Sequence, residues 1–204
     1  MINAPTEDIQ RFTSDYDHYN KAVRAATLTD GLFLEFGVAS GRSIRTFYDV
    51  INTETSITNK TLYGFDWFKG LPEAWDTLCA KGAFACDAPA ELLFLNTNNN
   101  TIRFENGLFA DTLPTFTEQH PEPCWLVHID CDIYSSTKTI FEWIGPRIVP
   151  GTVLVFDEFF QYPTYRDHEF KAFDEFIAET GYDYEYLSVW GPTRNPASVS
   201  VLIK

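Results

Sequence analysis

The sequence predicts a doubly wound α/β fold, in which helices cover both faces of a mostly parallel, seven-stranded sheet. Short apolar runs typical of buried strands alternate with segments whose apolar residues recur at helical spacing. Such alternation produces a parallel sheet with helices on both sides. The last two apolar runs are separated by little more than a GPTRNP turn. They therefore form a C-terminal hairpin, and one of its strands must run antiparallel.

The elements are expected in a simple order along the chain. Apolar residues recur from Ile9 to Ala26 behind Thr6, a plausible N-cap, which indicates an amphipathic helix in an N-terminal helical segment, 1–30. Buried strands are predicted at Leu32 to Val38, Leu62 to Phe68, Ile102 to Phe104, Trp125 to Ile129 and Thr152 to Phe156. Further helices are predicted around Ile44 to Ile51, Ile140 to Ile144 and Phe170 to Gly181, before hairpin strands at Tyr184 to Val189 and Val199 to Ile203.

The chain is expected to form a single domain over 1–204. Its 204 residues and 45% apolar composition suit one compact core. The segment 70–100 contains Pro72, Pro89 and an Asn-rich NTNNN, and it lacks a clean period. Long loops in compact domains are usually functional or disordered. We therefore expect this segment to be an insertion that covers the active site.

Charge and targeting signals narrow the classes of partner. The formal net charge of −14 leaves no basic stretch that could neutralise a phosphate backbone, so neither nucleic acid nor an anionic membrane is expected as a partner. The N-terminal MINAPTEDIQRF is acidic where a signal peptide is basic, and no apolar run approaches membrane-spanning length. The four cysteines lack zinc-ligand spacing and are expected to be free. A cytoplasmic protein is predicted, and a homo-oligomer remains possible.

The strongest local signal is LEFGVASGRS at 34–43, a strand that runs into a turn of small residues and then a helix. Small residues let a ligand approach the backbone, and a helix N-terminus offers unpaired amides. The glycines are spaced G-x-x-x-G after an acidic residue, which is not the GxGxxG of dinucleotide-binding proteins. The candidate ligand-binding residues here are Glu35, Gly37, Ala39, Ser40, Gly41 and Ser43.

Two further strand ends carry candidate ligand contacts. Asp66 stands at the end of its strand, where an open α/β sheet presents ligand contacts, and it can accept hydrogen bonds from both hydroxyls of a ribose. Trp67 follows it directly. A role for Asp66 as a helix cap or loop residue is the alternative. Asn106 and Gly107 follow the next strand, where they either contact a ligand or form an ordinary turn.

Carboxylates follow the next two strands of the predicted sheet. One strand ends in IDCDIYSST, with Asp130 and Asp132, and the other ends in VFDEFF, with Asp157 and Glu158. Neighbouring parallel strands deliver these groups to one edge of the sheet. Clustered acids repel one another unless a cation or a proton shares the site. A hard divalent ion such as Mg²⁺ takes oxygen ligands of this kind.

These segments together resemble class I S-adenosylmethionine (SAM)-dependent methyltransferases, whose sheet is Rossmann-like. The E-x-G-x-x-x-G turn resembles motif I of that class, and Asp66 resembles its acidic motif II residue. FDWFKGLPE, IDCDIYSST and GTVLVFDE look like the GFDxFxGLP, LDGDxYxST and GGxxxxDD segments of the macrocin O-methyltransferase family, which methylates sugars with the help of a metal. The likeness extends from about Gly31 to Phe160.

The resemblance implies an O-methyltransferase that moves the methyl group of SAM to a hydroxyl of a small organic acceptor, such as a sugar or another polyhydroxylated metabolite. SAM would contact the small-residue turn and the residues at the ends of the next three strands. These residues are Asp66, Trp67, Asn106, Gly107 and Asp130. Mg²⁺ or another divalent cation would bind Asp130, Asp157 and Glu158 and act as a Lewis acid on the acceptor. Glu158 departs from the family's usual Asp or Asn.

Several roles at this site have alternatives. Asp130 and Asp132 are the candidates for removing the acceptor's proton, although Asp132 could instead cap the following helix. His128 is expected to be a core residue. The aromatic residues expected to line the acceptor pocket are Trp67, Phe68, Trp75, Phe159, Phe160 and Tyr162.

Two other functions compete with this interpretation. The Asp130-x-Asp132 pair superficially fits the signature of haloacid-dehalogenase-like phosphatases and phosphotransferases. That family expects Thr or Val where Tyr134 stands, and it places the motif near the N-terminus. The second alternative is a noncatalytic partner subunit that binds SAM without turning it over.

Overall fold

The computed structural model describes residues 1–28, 30–54, 56–77, 79–192 and 196–204. Within them the chain forms one eight-stranded sheet in the order β1-β7-β8-β6-β5-β2-β3-β4. Its strands are β1 Arg11–Phe12, β2 Leu32–Phe36, β3 Thr61–Asp66, β4 Thr101–Asn106, β5 Cys124–Ile129, β6 Val153–Phe160, β7 Tyr184–Trp190 and β8 Ala197–Ile203. The α-helices are α1 Asp15–Ala25, α2 Arg42–Thr53, α3 Phe109–Gln119, α4 Tyr134–Ile144 and α5 Glu169–Thr180.

The predicted fold class is confirmed. All strand pairs are parallel except those of β8, which runs antiparallel to both β6 and β7, as the hairpin required. The sheet has one strand more than predicted, because Arg11–Phe12 pairs with Val189 and Trp190 of β7. The middle of the GPTRNP turn, residues 193–195, lies outside the described residues.

The alternation of side chains along β2 shows how the helices cover both faces. Leu34 and Phe36 lie in the core cluster that contains residues of α3, α4 and α5, whereas Phe33 lies in the cluster that contains residues of α1 and α2. Since neighbouring residues of a strand point to opposite faces, the sheet separates two hydrophobic cores. The near-continuous burial of β2, β5 and the first half of β6 matches strands covered on both sides.

Two helices differ from the sequence prediction. The leading helix begins at Asp15 rather than near Thr6, because the Ser14 side chain caps it by accepting from the amide of Asp17, and Arg11–Phe12 before it pair with β7. α3 was not predicted and contains Pro114. The closing glycine of α5 was predicted correctly: Gly181 adopts the left-handed conformation that ends a helix.

The strand order places the candidate site. From β2 the chain continues outward to β3 and β4, whereas β5 and β6 lie on the other side of β2. The direction of winding therefore reverses between β2 and β5, and ligands bind open α/β sheets outside the carboxyl ends of the strands at such a point. Among the described residues, no helix combines the length and apolarity that crossing a membrane requires.

Candidate active site

A cavity of about 380 Å³ opens at the carboxyl ends of the central strands. This volume falls within the range of about 300–1,000 Å³ that is usual for small-molecule sites. Residues in or directly after the carboxyl ends of β2, β3, β4, β5 and β6 contribute to its wall. The lining residues are Gly37, Ala39, Asp66, Trp67, Gly70, Leu71, Pro72, Phe84, Gly107, Leu108, Phe109, Ala110, Asp130, Cys131, Asp132, Ser135, Ser136, Thr139 and Glu158.

The small-residue turn is clamped between two neighbouring strands. The amide of Gly37 donates to the carbonyl of Phe65 at 2.9 Å, and the amide of Asp130 donates to the carbonyl of Phe36 at 2.9 Å. Gly37 has φ +94°, a backbone conformation that glycine adopts without strain. These bonds hold the end of β2 between β3 and β5, and they present Gly37 and Ala39 to the cavity.

Asp66 both organises this turn and borders the cavity. One carboxylate oxygen accepts the amide of Ala39 at 2.8 Å, and the other accepts the amide of Phe68 at 2.7 Å. A carboxylate has about four acceptor positions, so hydrogen-bonding capacity remains on both oxygens. The structure therefore supports the loop-organising role and leaves room for the contact with two ligand hydroxyls.

Glu35 and Ser43 lie away from the cavity wall. The Glu35 carboxylate is fully buried, where it accepts from the Ser43 hydroxyl at 2.9 Å and contacts Nδ1 of His128 at 3.0 Å. Because both carboxylate oxygens already have partners inside the protein, this motif residue acts on its buried neighbours rather than on a ligand in the cavity. His128 is wholly buried, as expected of a core residue.

Several other predicted contacts are also placed outside the cavity. Ser40, Gly41, Asn106 and Asp157 do not line it, whereas Gly107 does. Gly41 packs under Leu92 and Pro89 of the 70–100 segment instead.

Only one of the six aromatic residues predicted for the acceptor pocket lines the cavity, namely Trp67. The remaining five lie in hydrophobic clusters, because the helices and the 70–100 segment pack over them. Phe159 and Phe160 belong to the core under α5, Phe68 packs against the core of α1 and α2, and Trp75 and Tyr162 form a third cluster.

Four carboxyl groups at this edge have raised pKa values. Burial is the main cause for Asp130, Asp132, Glu158 and Glu169, and the charges of neighbouring carboxylates add to it. The pKa of Asp132 is raised to about 7. Because each group disfavours ionisation of the others, the cluster binds protons, or a cation, more readily than isolated carboxyls do.

A ring nitrogen of His128 and one oxygen each of Asp130 and Asp157 lie within 4.8 Å of one another. Within the described part of the chain this is the group whose geometry suits a metal ion. The predicted partner Glu158 does not belong to it. Glu158 lines the cavity instead, and one of its carboxylate oxygens is buried without a hydrogen-bond partner in the described part of the chain.

Glu169 is a site residue that sequence reasoning missed. It begins α5 and is wholly buried. Backbone amides of Cys131 and Glu158 face it, but neither of its oxygens forms a hydrogen bond of good geometry with any described residue. The charge of Asp132 is the largest carboxylate contribution to its raised pKa. An acid in the first turn is typical of any helix, so no local signal indicated that Glu169 lies beside Asp132.

Part of the 70–100 segment borders the cavity. Gly70, Leu71, Pro72 and Phe84 contribute to its wall. The segment is also joined to the sheet's carboxyl edge, since Asp76 accepts from Nε2 of His168 at 2.8 Å. The 70–100 segment therefore contacts the loops that carry the acidic residues.

A small-residue turn after β2, an acid at the end of β3 and a cavity over the point where winding reverses match the arrangement expected of a class I SAM-dependent methyltransferase. Consistent with this, the family model described as a methyltransferase domain matches residues 34–159. The chain belongs to that family. No curated protein sequence matches the chain.

Solved methyltransferases share the fold. The calicheamicin methyltransferase CalS11 is 22% identical with a TM-score of 0.70, covering 92% of this chain and 76% of that one. The O-methyltransferase NovP is 19% identical with a TM-score of 0.63, covering 92% and 78%. MycE from the mycinamycin pathway, in complex with Mg and SAH (S-adenosylhomocysteine), is 16% identical with a TM-score of 0.55 and covers 92% of this chain and 48% of that one.

Proposed function

We propose that this protein transfers the methyl group of SAM to a hydroxyl oxygen of a small acceptor, with assistance from a divalent cation. The observation that carries this proposal is one cavity bordered by two different chemistries. Gly37, Ala39 and Asp66 form one side, and Asp130, Asp132 and Glu158 form another. The first suits a nucleoside with an amino-acid tail, and the second suits proton removal.

The cofactor side fits SAM by its shape and its acceptors. Free capacity on the Asp66 carboxylate suits the two ribose hydroxyls, and Leu108 and Phe109 supply apolar surface for the flat adenine. When bound, SAM supplies a methyl group on a sulfonium, which reacts by in-line displacement. The residues Gly37 and Ala39 place backbone close to the ligand, and such positioning can lower a barrier by about 7–11 kcal/mol.

Asp132 is proposed as the group that receives the acceptor's proton. Its pKa of about 7 results from burial and from the charge of Asp157, with partial compensation by Glu158. A general base is most effective when its pKa lies near the working pH. Asp132 lines the cavity beside Ser135 and Ser136, so a hydroxyl bound there can reach it.

The acidic edge also fits a divalent cation. Asp130 and Asp157 present oxygens within 4.8 Å of each other, and the raised pKa values of the cluster reflect the cost of holding its charges without a counterion. When bound, a divalent cation supplies Lewis acidity that lowers the pKa of an acceptor hydroxyl. Asp130 and Asp157 would hold it, whereas Glu158, which the family resemblance implied as a further ligand, is not grouped with them among the described residues.

A polyhydroxylated acceptor such as a sugar is supported by the naming of a structural relative. CalS11 is described as a TDP-rhamnose 3'-O-methyltransferase. We also propose that the 70–100 segment covers the acceptor, since Leu71, Pro72 and Phe84 already border the cavity. The haloacid-dehalogenase alternative is not favoured, because the chain belongs to a methyltransferase family.

Binding and turnover test this proposal separately. SAM and SAH should each bind in calorimetry, and a panel of nucleotide sugars and phenols should reveal methyl transfer that chelator abolishes and Mg²⁺ or Mn²⁺ restores. Asp157→Asn should reduce turnover far more than SAM affinity, whereas Asp183→Asn, far from the cavity wall, should change neither. Full activity in chelator would remove the cation from the proposal, and binding without turnover across the panel would favour the noncatalytic subunit.

A further inference from the structure

We propose that His128 is a ligand of the divalent cation, together with Asp130 and Asp157, and that buried Glu35 orients its ring. This inference rests on the proposed function only in placing a cation at the acidic edge. It gives the site a nitrogen donor in place of Glu158. It also assigns a role to Glu35, which does not line the cavity.

The first argument is the position of the three donors. A ring nitrogen of His128 lies within 4.8 Å of one oxygen of Asp130 and one of Asp157, and those two oxygens also lie within 4.8 Å of each other. A cation placed between donors at such separations is within reach of all three after small side-chain adjustments. β5 and β6 supply the three residues, and paired strands hold them in a fixed register.

The second argument is an unpartnered nitrogen in a buried ring. His128 is 0% exposed, and its Nε2 has no hydrogen-bond partner among the described residues. Buried polar atoms are normally paired, so an unpartnered nitrogen in a ring that lies beside two carboxylates needs an explanation. The other nitrogen, Nδ1, lies 3.0 Å from the Glu35 carboxylate. If Nδ1 carries the proton and donates to Glu35, the lone pair of Nε2 is free for a cation.

The third argument is the support around the ring. Glu35 accepts from the Ser43 hydroxyl at 2.9 Å through its other oxygen, so the carboxylate is fixed from both ends. The rings of Tyr19 and Phe47 pack against His128, with centroids 5.5 and 5.2 Å away. Histidines that bind metals usually donate their second nitrogen to such a carboxylate, which fixes the tautomer and raises ligand basicity.

The fourth argument concerns Glu158. Successive residues of a strand point to opposite faces, and Asp157 and Glu158 are neighbours within β6. Glu158 lines the cavity and Asp157 does not. The alternation along β6 therefore directs Asp157 and Glu158 to opposite faces of the sheet, and among the described residues the clustered donors include Asp157 and not Glu158.

The donor set has a consequence for metal choice. Carboxylates and water suit Mg²⁺ and Mn²⁺, whereas imidazole suits Zn²⁺, Fe²⁺, Co²⁺ and Ni²⁺. One imidazole with two carboxylates therefore favours transition ions over Mg²⁺. We expect Co²⁺ to bind the protein more tightly than Mn²⁺ or Mg²⁺ does, in the absence of SAM and acceptor, because Co²⁺ also exceeds Mn²⁺ in the general affinity order of divalent metals.

The test is direct metal binding to chelator-treated, full-length protein, without SAM or acceptor. Calorimetry should show one Co²⁺ or Mn²⁺ site. His128→Gln should weaken Co²⁺ binding by at least roughly tenfold, and Glu35→Gln should weaken it by roughly 10–100-fold through loss of the orienting carboxylate. His18→Gln is the matched control, because His18 is equally buried but bonds Ser188 and Ser198. Glu158→Gln should leave Co²⁺ affinity nearly unchanged.

A spectroscopic readout guards against variants that fold poorly. Pulsed EPR of the Mn²⁺ complex of the native protein should show coupling to a histidine nitrogen, and this coupling should vanish in His128→Gln. Bound Mn²⁺ without nitrogen coupling would overturn the assignment of His128 while leaving a cation-assisted reaction standing. The assignment of His128 would also be wrong if Glu158→Gln lost Co²⁺ binding while His128→Gln retained it. It would be wrong as well if the folded native protein bound none of these ions.

Discussion

The carbonyl oxygen of Asp130 occupies the space in which a side chain at Gly37 would begin. A Cβ atom at Gly37 would lie 1.7 Å from this oxygen, and the φ of +94° is itself unfavourable for any residue with a side chain. Gly37 also bonds to the backbone of Phe65 on the other neighbouring strand. The turn can therefore make room only by separating β2 from β5, which would move Asp130 as well.

Gly37→Ala should consequently destabilise the protein by more than backbone strain alone. Gly82→Ala is the matched control, since Gly82 has φ +83° and a Cβ atom there would meet no other atom within 4 Å, so only strain of about 1–3 kcal/mol applies. Urea unfolding monitored by tryptophan fluorescence measures both losses. If both variants lost the same free energy of unfolding, the contact with Asp130 would not be the reason that Gly37 is required.

Asp66→Ala should weaken binding of SAH by about 1.5–3 kcal/mol for each charge-assisted hydrogen bond that is lost. It should also lower thermal stability, because the amides of Ala39 and Phe68 lose their acceptor. Asp66→Asn keeps one acceptor oxygen and should lose less on both counts. Calorimetry on the folded variants separates the two effects, and unchanged SAH affinity in folded Asp66→Ala would contradict the contact with the ribose.

Asp132 should make the cation-free protein less stable as the pH rises. Its pKa is raised from 3.8 to about 7, so between about pH 4 and pH 7 the folded protein binds more protons than the unfolded chain. The stabilisation present below pH 4 is therefore lost as the pH rises through 7. His18 acts in the opposite direction below pH 6.5, because burial lowers its pKa to about 3.

The difference between native protein and Asp132→Asn isolates the Asp132 contribution. Urea unfolding in chelator across this pH interval should show a steeper loss of stability for the native protein than for the variant. Added Mn²⁺ should restore stability most at alkaline pH, where the carboxylates are charged. An identical pH dependence in both proteins would mean that the Asp132 carboxyl titrates normally.

Local sequence signals were sufficient for most of the fold. Alternating apolar runs located every strand of the parallel core, and Gly181 marked the end of α5. The two-residue β1 was missed because its pairing with β7 joins residues far apart in the chain, and no local pattern encodes such a contact. The helical spacing located α1, but Ile9 and Phe12 precede the helix, because Ser14 caps its start.

The candidate site was predictable where the ligand-facing residue ends a strand or follows it within three residues. Gly37, Asp66, Gly107, Asp130 and Asp132 all border the cavity for this reason. The remaining site residues are brought together by tertiary packing. Glu169 reaches the acidic edge from the start of α5, and Glu35 reaches His128 across paired strands, as their register shows. Neither relationship follows from spacing along the chain.

The two outer strands of the sheet differ in how they are protected from other molecules. The two-residue β1 covers part of the edge of β7, and the opposite edge is β4, which carries the charged Arg103 and Glu105. Exposed strand edges invite intermolecular pairing, and charged side chains discourage it. The β7 edge relies on a strand of two residues, so loss of that strand would expose the edge to pairing with another chain, whereas charged side chains protect the β4 edge in every state of β1.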